Sequence, residues 1–280
     1  MLAYLELTKP RVTLMVALTA LVSFYLASTD IDFVLLVHTI LGTTLLAAGC
    51  AVSNQYLERE VDARMQRTRS RPLPSGRITP AKALVFGVVL TLGGGLYLGA
   101  AANWLTGGLG LASAALYLFG YTPFKKKSPL CTTIGAFPGA TPVLLGWAGA
   151  RGTLDPGAWV LFAVLFLWQY PHFLAIAWVY RDDYRRGGFR MLPQMDPGGR
   201  KTARQILIFI LLLVPVSLLP TQVGISSTLY AAGAVILGGG LLWSGLRVNR
   251  TRSRAAAHTL LKTSVVYLPL LMVLMALDRL

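Results

Sequence analysis

The sequence predicts an all-α membrane bundle of about nine transmembrane helices, on three observations. Of its 280 residues, 55% are hydrophobic and only 13% charged, about half the charged share of a soluble domain. Nine windows approach the ~20 apolar residues that a helix needs to cross a bilayer: 11–28, 34–56, 81–102, 105–122, 130–150, 157–179, 205–220, 225–245 and 261–278. The third observation is where the charge lies. With the N-terminus on the cytoplasmic side, 24 of the 26 Lys and Arg residues fall in segments on that side, and only Arg151 and Arg279 fall outside. Such a bias orients membrane proteins, and dropping one span would scramble it. The net charge of +15 therefore reads as topology and attraction to anionic lipid, with no nucleic-acid partner. Little chain remains between the windows, so residues 1–280 are read as a single membrane domain.

The first window follows a polar head, Thr8-Lys9-Pro10-Arg11, with no small-residue cleavage site, so a retained span is expected there. Small residues recur in the third, fourth and eighth windows (Gly93 to Gly95; Gly107, Gly108 and Gly110; Gly238 to Gly240), as close helix packing requires. Pro138, Pro142, Pro171 and Pro215 are expected to interrupt the fifth, sixth and seventh spans, and broken membrane helices often line a cavity. Cys50 and Cys131 have neither disulfide nor zinc spacing and read as packing residues. The outer connections are short, whereas the inner loops 57–80 and 180–204 are long. Lying four spans apart, the two loops fit a pair of related four-helix units plus one helix, although their similarity is too weak to establish a repeat.

Six of the 11 acidic residues sit in those two loops: Glu58, Glu60, Asp62, Asp182, Asp183 and Asp196. Acids concentrated where topology demands bases need a separate reason. Asn54, Glu58 and Asp62 stand at i, i+4 and i+8, so a helix puts three hard oxygen donors on one face. Such donors suit Mg²⁺, which binds through a few carboxylates, waters and phosphate oxygens. A solvated helix end, with Glu58 paired to Arg59 or Arg64, is the plainer alternative. Asp182 and Asp183 are adjacent, and adjacent carboxylates repel unless a cation lies between them. Two clusters on one membrane face would allow two Mg²⁺ ions to clamp one diphosphate. Arg67 and Arg71, framed by Pro72, Pro74 and Gly76, and Lys125, Lys126 and Lys127 on a third inner loop, supply phosphate donors. A diphosphate site above an apolar body implies a lipid-tailed diphosphate. Ionising an allylic tail would leave a cation that needs an aromatic pocket, for which Tyr56, Tyr121, Trp147, Trp168, Tyr170, Phe173, Trp178 and Tyr180 are candidates.

These residues resemble the UbiA superfamily of intramembrane prenyltransferases nearly end to end. Leu7-Thr8-Lys9-Pro10-Arg11 is similar to the family's N-terminal entry, and Asn54 to Asp62 followed by Arg67 to Pro72 is similar to its first acidic motif and basic extension. Tyr121-Thr122, Lys125 to Ser128, Ile134 to Pro142 and Gly146-Trp147 resemble the haem-prenylating branch. So does Trp168-Gln169-Tyr170-Pro171-His172-Phe173, running into Tyr180 to Tyr184 and Met191-Leu192-Pro193. Glu58 stands where the superfamily commonly has Asp, and Cys131 where this branch often has Asn.

The resemblance implies transfer of a farnesyl group from farnesyl diphosphate to a vinyl group of haem B, giving haem O at the cytoplasmic face of the inner membrane. It assigns Asn54, Glu58, Asp62, Asp182 and Asp183 to Mg²⁺ and catalysis, and Arg67, Arg71 and Lys125 to Lys127 to diphosphate. His172, Tyr180 and Arg186 are expected at the haem or prenyl group, with Lys9 and Arg11 as further propionate candidates. For His172, iron ligation stands beside a hydrogen-bonding or packing role. A haem A synthase or oxidase-assembly partner is implied as well. The competing readings are a quinone-precursor ring or chlorophyllide as acceptor, and a transporter of an anionic amphiphile, whose broken helices and basic loops would look alike.

Overall fold

The computed structural model describes residues 2–280. The chain is helical throughout: α1 (Leu2–Leu7), α2 (Pro10–Ala27), α3 (Phe33–Asp62), α4 (Pro80–Ala101), α5 (Trp104–Ala115), a π-helical turn (Leu116–Tyr121), α6 (Thr122–Phe124), α7 (Cys131–Arg151), α8 (Pro156–Val179), α9 (Arg181–Arg186), α10 (Leu192–Met195), α11 (Arg200–Val216), α12 (Leu219–Gln222), α13 (Thr228–Thr251) and α14 (Arg254–Leu277). Among the described residues the one extended pairing is an isolated bridge between Ser226 and Arg279.

Seven helical segments are long and apolar enough to cross a membrane: α2, α3, α4, α8, Arg200–Gln222, α13 and α14. The other two predicted windows fall on α5 with its π continuation and on α7. α7 is poor in lipid-type side chains because protein encloses it; its Thr, Gly, Ala and Pro residues are mostly buried against neighbours. Lipid-facing helices differ, showing exposed Val85, Val89, Leu92 and Leu96 on α4 and Val265, Val266 and Val273 on α14. The chain is an integral membrane protein.

Helix association in lipid gains little from apolar burial and depends on close packing. A Cβ at Gly49 would collide with the Thr91 nitrogen, and one at Gly146 with the Ala20 carbonyl oxygen. Glycine at these two positions lets α3 meet α4, and α2 meet α7, at backbone distance. The expected interruptions at Pro138, Pro142 and Pro171 do not occur, since α7 and α8 run through all three. Each proline costs one backbone bond, and polar side chains from neighbours grip α7 nearby: Gln169 Nε2 donates to the Ala136 carbonyl and Ser23 Oγ to that of Val143. Pro215 does fall at a helix end, one residue before α11 stops.

Acids at the far end of the bundle cap helices. Asp32 Oδ1 accepts from the Val34 and Leu35 N–H groups at 2.9 and 3.0 Å, and Asp155 Oδ1 from that of Gly157 at 3.1 Å. Asp196 acts similarly at the near end, where its Oδ2 accepts from the Thr202 N–H and hydroxyl at 2.8 and 3.0 Å. Its place in the acidic loop is thereby explained by the start of α11.

Candidate active site

The last turns of α3 carry the first motif. Asn54, Glu58 and Asp62 share one face and are 1%, 6% and 1% exposed, which removes the solvated-helix-end alternative. Their partners come from three other segments. Lys9 Nζ donates to Asn54 Oδ1 at 3.2 Å, and Asn54 Nδ2 donates to Thr122 Oγ1 at 3.2 Å. Lys125 Nζ is 2.9 Å from Glu58 Oε1, and Arg71 Nη1 is 2.7 Å from Asp62 Oδ2. The exposed Glu60 is the residue that meets Arg59, at 3.6 Å.

Local structure delivers these cations. Pro123 has no N–H, and its ring crowds the carbonyl four residues back; the π turn just before it widens the helix there. The Thr122 N–H and Oγ1 both reach the Tyr117 carbonyl, the longer span of a π turn. This turn brings Tyr121, Thr122 and Lys125 to α3. Lys125 Nζ also sits 4.5 Å from the Tyr121 ring centre. Burial opposes the charge of Lys125, yet Glu58 and the phenols of Tyr121 and Tyr117 hold its pKa well above the usual lysine range. Lys9 enters from the start of α2 in a left-handed conformation (φ 49°), rare for a side chain of this type. Burial, reinforced by Arg71 and Lys125 and only partly offset by Glu58 and Asp62, pushes its pKa down to about 7.

α9 carries the second motif. Asp183 is buried; its Oδ1 accepts from the Gln66 N–H at 3.0 Å, its Oδ2 from the Arg67 N–H at 3.4 Å, and Arg186 Nη2 lies 2.5 Å from Oδ1. Burial would raise this carboxyl's pKa, but Arg186 and the two backbone donors hold it below the usual range. Asp183 thus ties the loop after α3 to the end of α8. Asp182 is exposed and, with Tyr180, Asp183, Arg186, Gln66 and Arg254, lines a cavity of about 350 Å³. Arg67 lies over the rings of Tyr180 and Tyr184, at 5.1 and 5.6 Å.

Of the three lysines only Lys125 reaches the acids, while Lys126 and Lys127 are exposed. Arg77 turns away, gripping Glu6 with two bonds of 2.7 and 3.0 Å. Arg11 is also exposed. Trp147 lies at the opposite end of the bundle, lining a separate cavity of about 510 Å³ with Arg151 and Arg279, so it is not part of this aromatic pocket. His172 lies within α8, its Nδ1 3.0 Å from Ser264 Oγ of α14. Arg254 joins the site without a signal of its own in the sequence, being one of several basic residues near an inner helix end. Thr122 had one only as part of the Tyr121-Thr122 resemblance, and its contact with Asn54 depends on the π turn.

Among the described residues no three His, Cys, Asp or Glu side chains lie close enough to share one metal ion. Each motif carboxylate that is buried is instead bridged by a Lys or Arg. One atom is unanswered: Asp62 Oδ1 is sealed from solvent and has no partner. A buried, unpaired carboxylate oxygen is costly, and a row of hard oxygen donors ending in it fits Mg²⁺.

The UbiA prenyltransferase family model matches residues 16–267. The chain belongs to this family. It is 48% identical to the protoheme IX farnesyltransferase of Solibacter usitatus (strain Ellin6076), over 99% of this chain and 98% of that protein. It is 43% identical to the protein of that name from Salinibacter ruber (strain DSM 13855 / M31), over 98% of both. Two solved structures share the fold. A digeranylgeranylglyceryl phosphate synthase superposes with a TM-score of 0.82 at 18% identity, covering 99% of this chain and 97% of the other. A UbiA homologue from Archaeoglobus fulgidus bound to GPP and Mg²⁺ does so with a TM-score of 0.67 at 15% identity, covering 98% of this chain and 99% of the other.

Proposed function

We propose that this membrane prenyltransferase transfers the farnesyl group of farnesyl diphosphate to a vinyl group of haem B, releasing diphosphate and giving haem O. The observation that carries the chemistry is the paired array of buried carboxylates and cations at one end of an apolar bundle: Asn54, Glu58 and Asp62 with Lys9, Arg71 and Lys125. The curated relatives, named protoheme IX farnesyltransferase at 38–48% identity, favour haem over a quinone-precursor ring, chlorophyllide or a transported amphiphile.

Asn54, Glu58 and Asp62 on one side and Asp182 and Asp183 on the other would hold Mg²⁺, as two ions. When bound, Mg²⁺ neutralises the diphosphate oxygens and eases departure of the leaving group. Arg71 and Lys125 would turn from carboxylate to diphosphate as the metal enters, so the buried charges stay compensated throughout. Arg67, braced on Tyr180 and Tyr184, guards the rim. The C–O bond of the allylic diphosphate ionises and its electron pair leaves with diphosphate. Tyr117 and Tyr121, their rings tilted with centres 5.4 Å apart beside Lys125, would face the resulting farnesyl cation. The terminal vinyl carbon of haem attacks it; water then adds to the adjacent carbon and loses a proton, leaving a hydroxyethylfarnesyl side chain. Arg186 and Arg254 supply donors for the propionates.

The charge bias of the loops supports a cytoplasmic position for this end, in a bundle of nine spans in the inner membrane that would pass its product to haem A synthase or an oxidase-assembly partner. An acceptor panel tests the reading: membranes given farnesyl diphosphate with haem B, a hydroxybenzoate or chlorophyllide should prenylate haem B alone. Prenylation of another acceptor with haem B untouched would replace the haem assignment.

A further inference from the structure

His172 belongs to a polar cluster between α8 and α14. Ser264 Oγ lies 3.0 Å from His172 Nδ1 and 2.8 Å from the Leu261 carbonyl oxygen. A hydroxyl has one proton, and a carbonyl can only accept. The Ser264 proton is therefore committed to Leu261, so Oγ meets the imidazole as an acceptor. Nδ1 must carry a proton, and in the neutral ring the lone pair then sits on Nε2.

The surroundings hold this arrangement rigid. Ser264 is fully buried. Trp168 stacks on the imidazole with ring centres 4.6 Å apart and planes 18° from parallel, and its Nε1 donates to the Ser264 carbonyl at 2.8 Å. One tryptophan thus fixes both the ring plane and the backbone that presents the hydroxyl. Nε2 has no hydrogen-bond partner among the described residues, and the His172 side chain is half-buried.

We infer that Ser264 is a positioning residue: it locks His172 in the Nδ1–H tautomer and so presents Nε2 as a ligand for the iron of the haem acceptor. An acceptor at Nδ1–H also raises the basicity of the ligating nitrogen. A histidine that merely packs needs no fixed tautomer. The inference rests on the haem reading above.

The tautomer is tested without haem. The chain has three histidines, His38, His172 and His258, so nitrogen NMR of histidine-labelled protein in detergent gives few signals, and His172→Gln assigns one of them. Nδ1 is expected protonated and Nε2 bare, with Ser264→Ala mixing the two forms. A protonated Nε2 in the parent protein overturns the inference. Ligation is read by titrating ferric haem and recording absorption and resonance Raman spectra. A histidine-ligated spectrum is expected, lost in His172→Gln, with affinity falling roughly tenfold in Ser264→Ala and recovering in Ser264→Thr. Haem bound with the same spectrum in the parent and in His172→Gln overturns the inference but leaves the haem reading standing. No haem binding by the parent sinks both.

Discussion

Replacing Lys125 by Met strands Glu58. The two side chains are 12% and 8% accessible, and their charged atoms lie 2.9 Å apart. Removing one member of a buried pair costs about 3–5 kcal/mol, because the other charge is left uncompensated. Lys9 stands close enough to Glu58 to absorb part of that loss, so about 3 kcal/mol is expected, the low end of that range. Glu58→Gln strands Lys125 in the same way. The double variant removes both charges at little change in volume and should lie within about 1 kcal/mol of the parent. Thermal unfolding in detergent measures this, at about 2–4 °C per kcal/mol for a chain of this size. Each single variant should melt about 6–12 °C lower and the double within about 4 °C of the parent. All three should lose turnover, so the double variant separates stability from activity. If the double falls as far as the two singles together, the charges do not depend on one another and the pairing argument is refuted.

Four further outcomes follow from the geometry. Asp62→Asn and Asp183→Asn should each lower turnover roughly 100-fold or more while haem binding persists; normal turnover in either removes that residue from the catalytic set. Arg254→Gln should raise the KM for haem with little change in kcat, and an unchanged KM places Arg254 outside the acceptor site. Gly146→Val should prevent accumulation of folded protein, because its Cβ would collide with the Ala20 carbonyl, whereas Gly93→Ala meets nothing within 4 Å and should be neutral. Asp278 accepts from the Ser227 hydroxyl and the Tyr230 and Ser227 N–H groups, which hold its pKa below the usual carboxylate range. A lowered carboxylate pKa stabilises the fold above the unfolded value of about 4 and ceases to do so as pH falls through the folded one. Melting curves of the parent should therefore lose ground to Asp278→Asn below about pH 4, and parallel curves would contradict it.

The helical membrane class was legible because bilayer thickness and loop charge act on composition directly. The first motif was legible because helix periodicity alone puts Asn54, Glu58 and Asp62 on one face. Their partners were less so. Lys125 was indistinguishable from Lys126 and Lys127 until the π turn selected it, and a π turn leaves no residue pattern of its own. The prolines misled for a related reason: whether a helix breaks depends on what grips it, and α7 is gripped by Gln169 from the following helix and by Ser23 from α2, far away in sequence. α7 also shows why hydropathy weakens inside a bundle, where neighbours and not lipid choose the side chains. Trp147 was grouped with the site by its chemistry, although its position near the C-terminal end of α7 puts it at the opposite end of the bundle.

The central claim is that the buried carboxylates act through Mg²⁺ on a prenyl diphosphate to alkylate haem. Membranes containing the protein, given haem B, farnesyl diphosphate and Mg²⁺ with and without chelator, test it by mass spectrometry of the porphyrins. A haem O peak that disappears with chelator and returns with added Mg²⁺ is predicted. Unchanged haem B from protein shown to be folded would contradict the substrate assignment, and haem O formed equally well in chelator would contradict the metal.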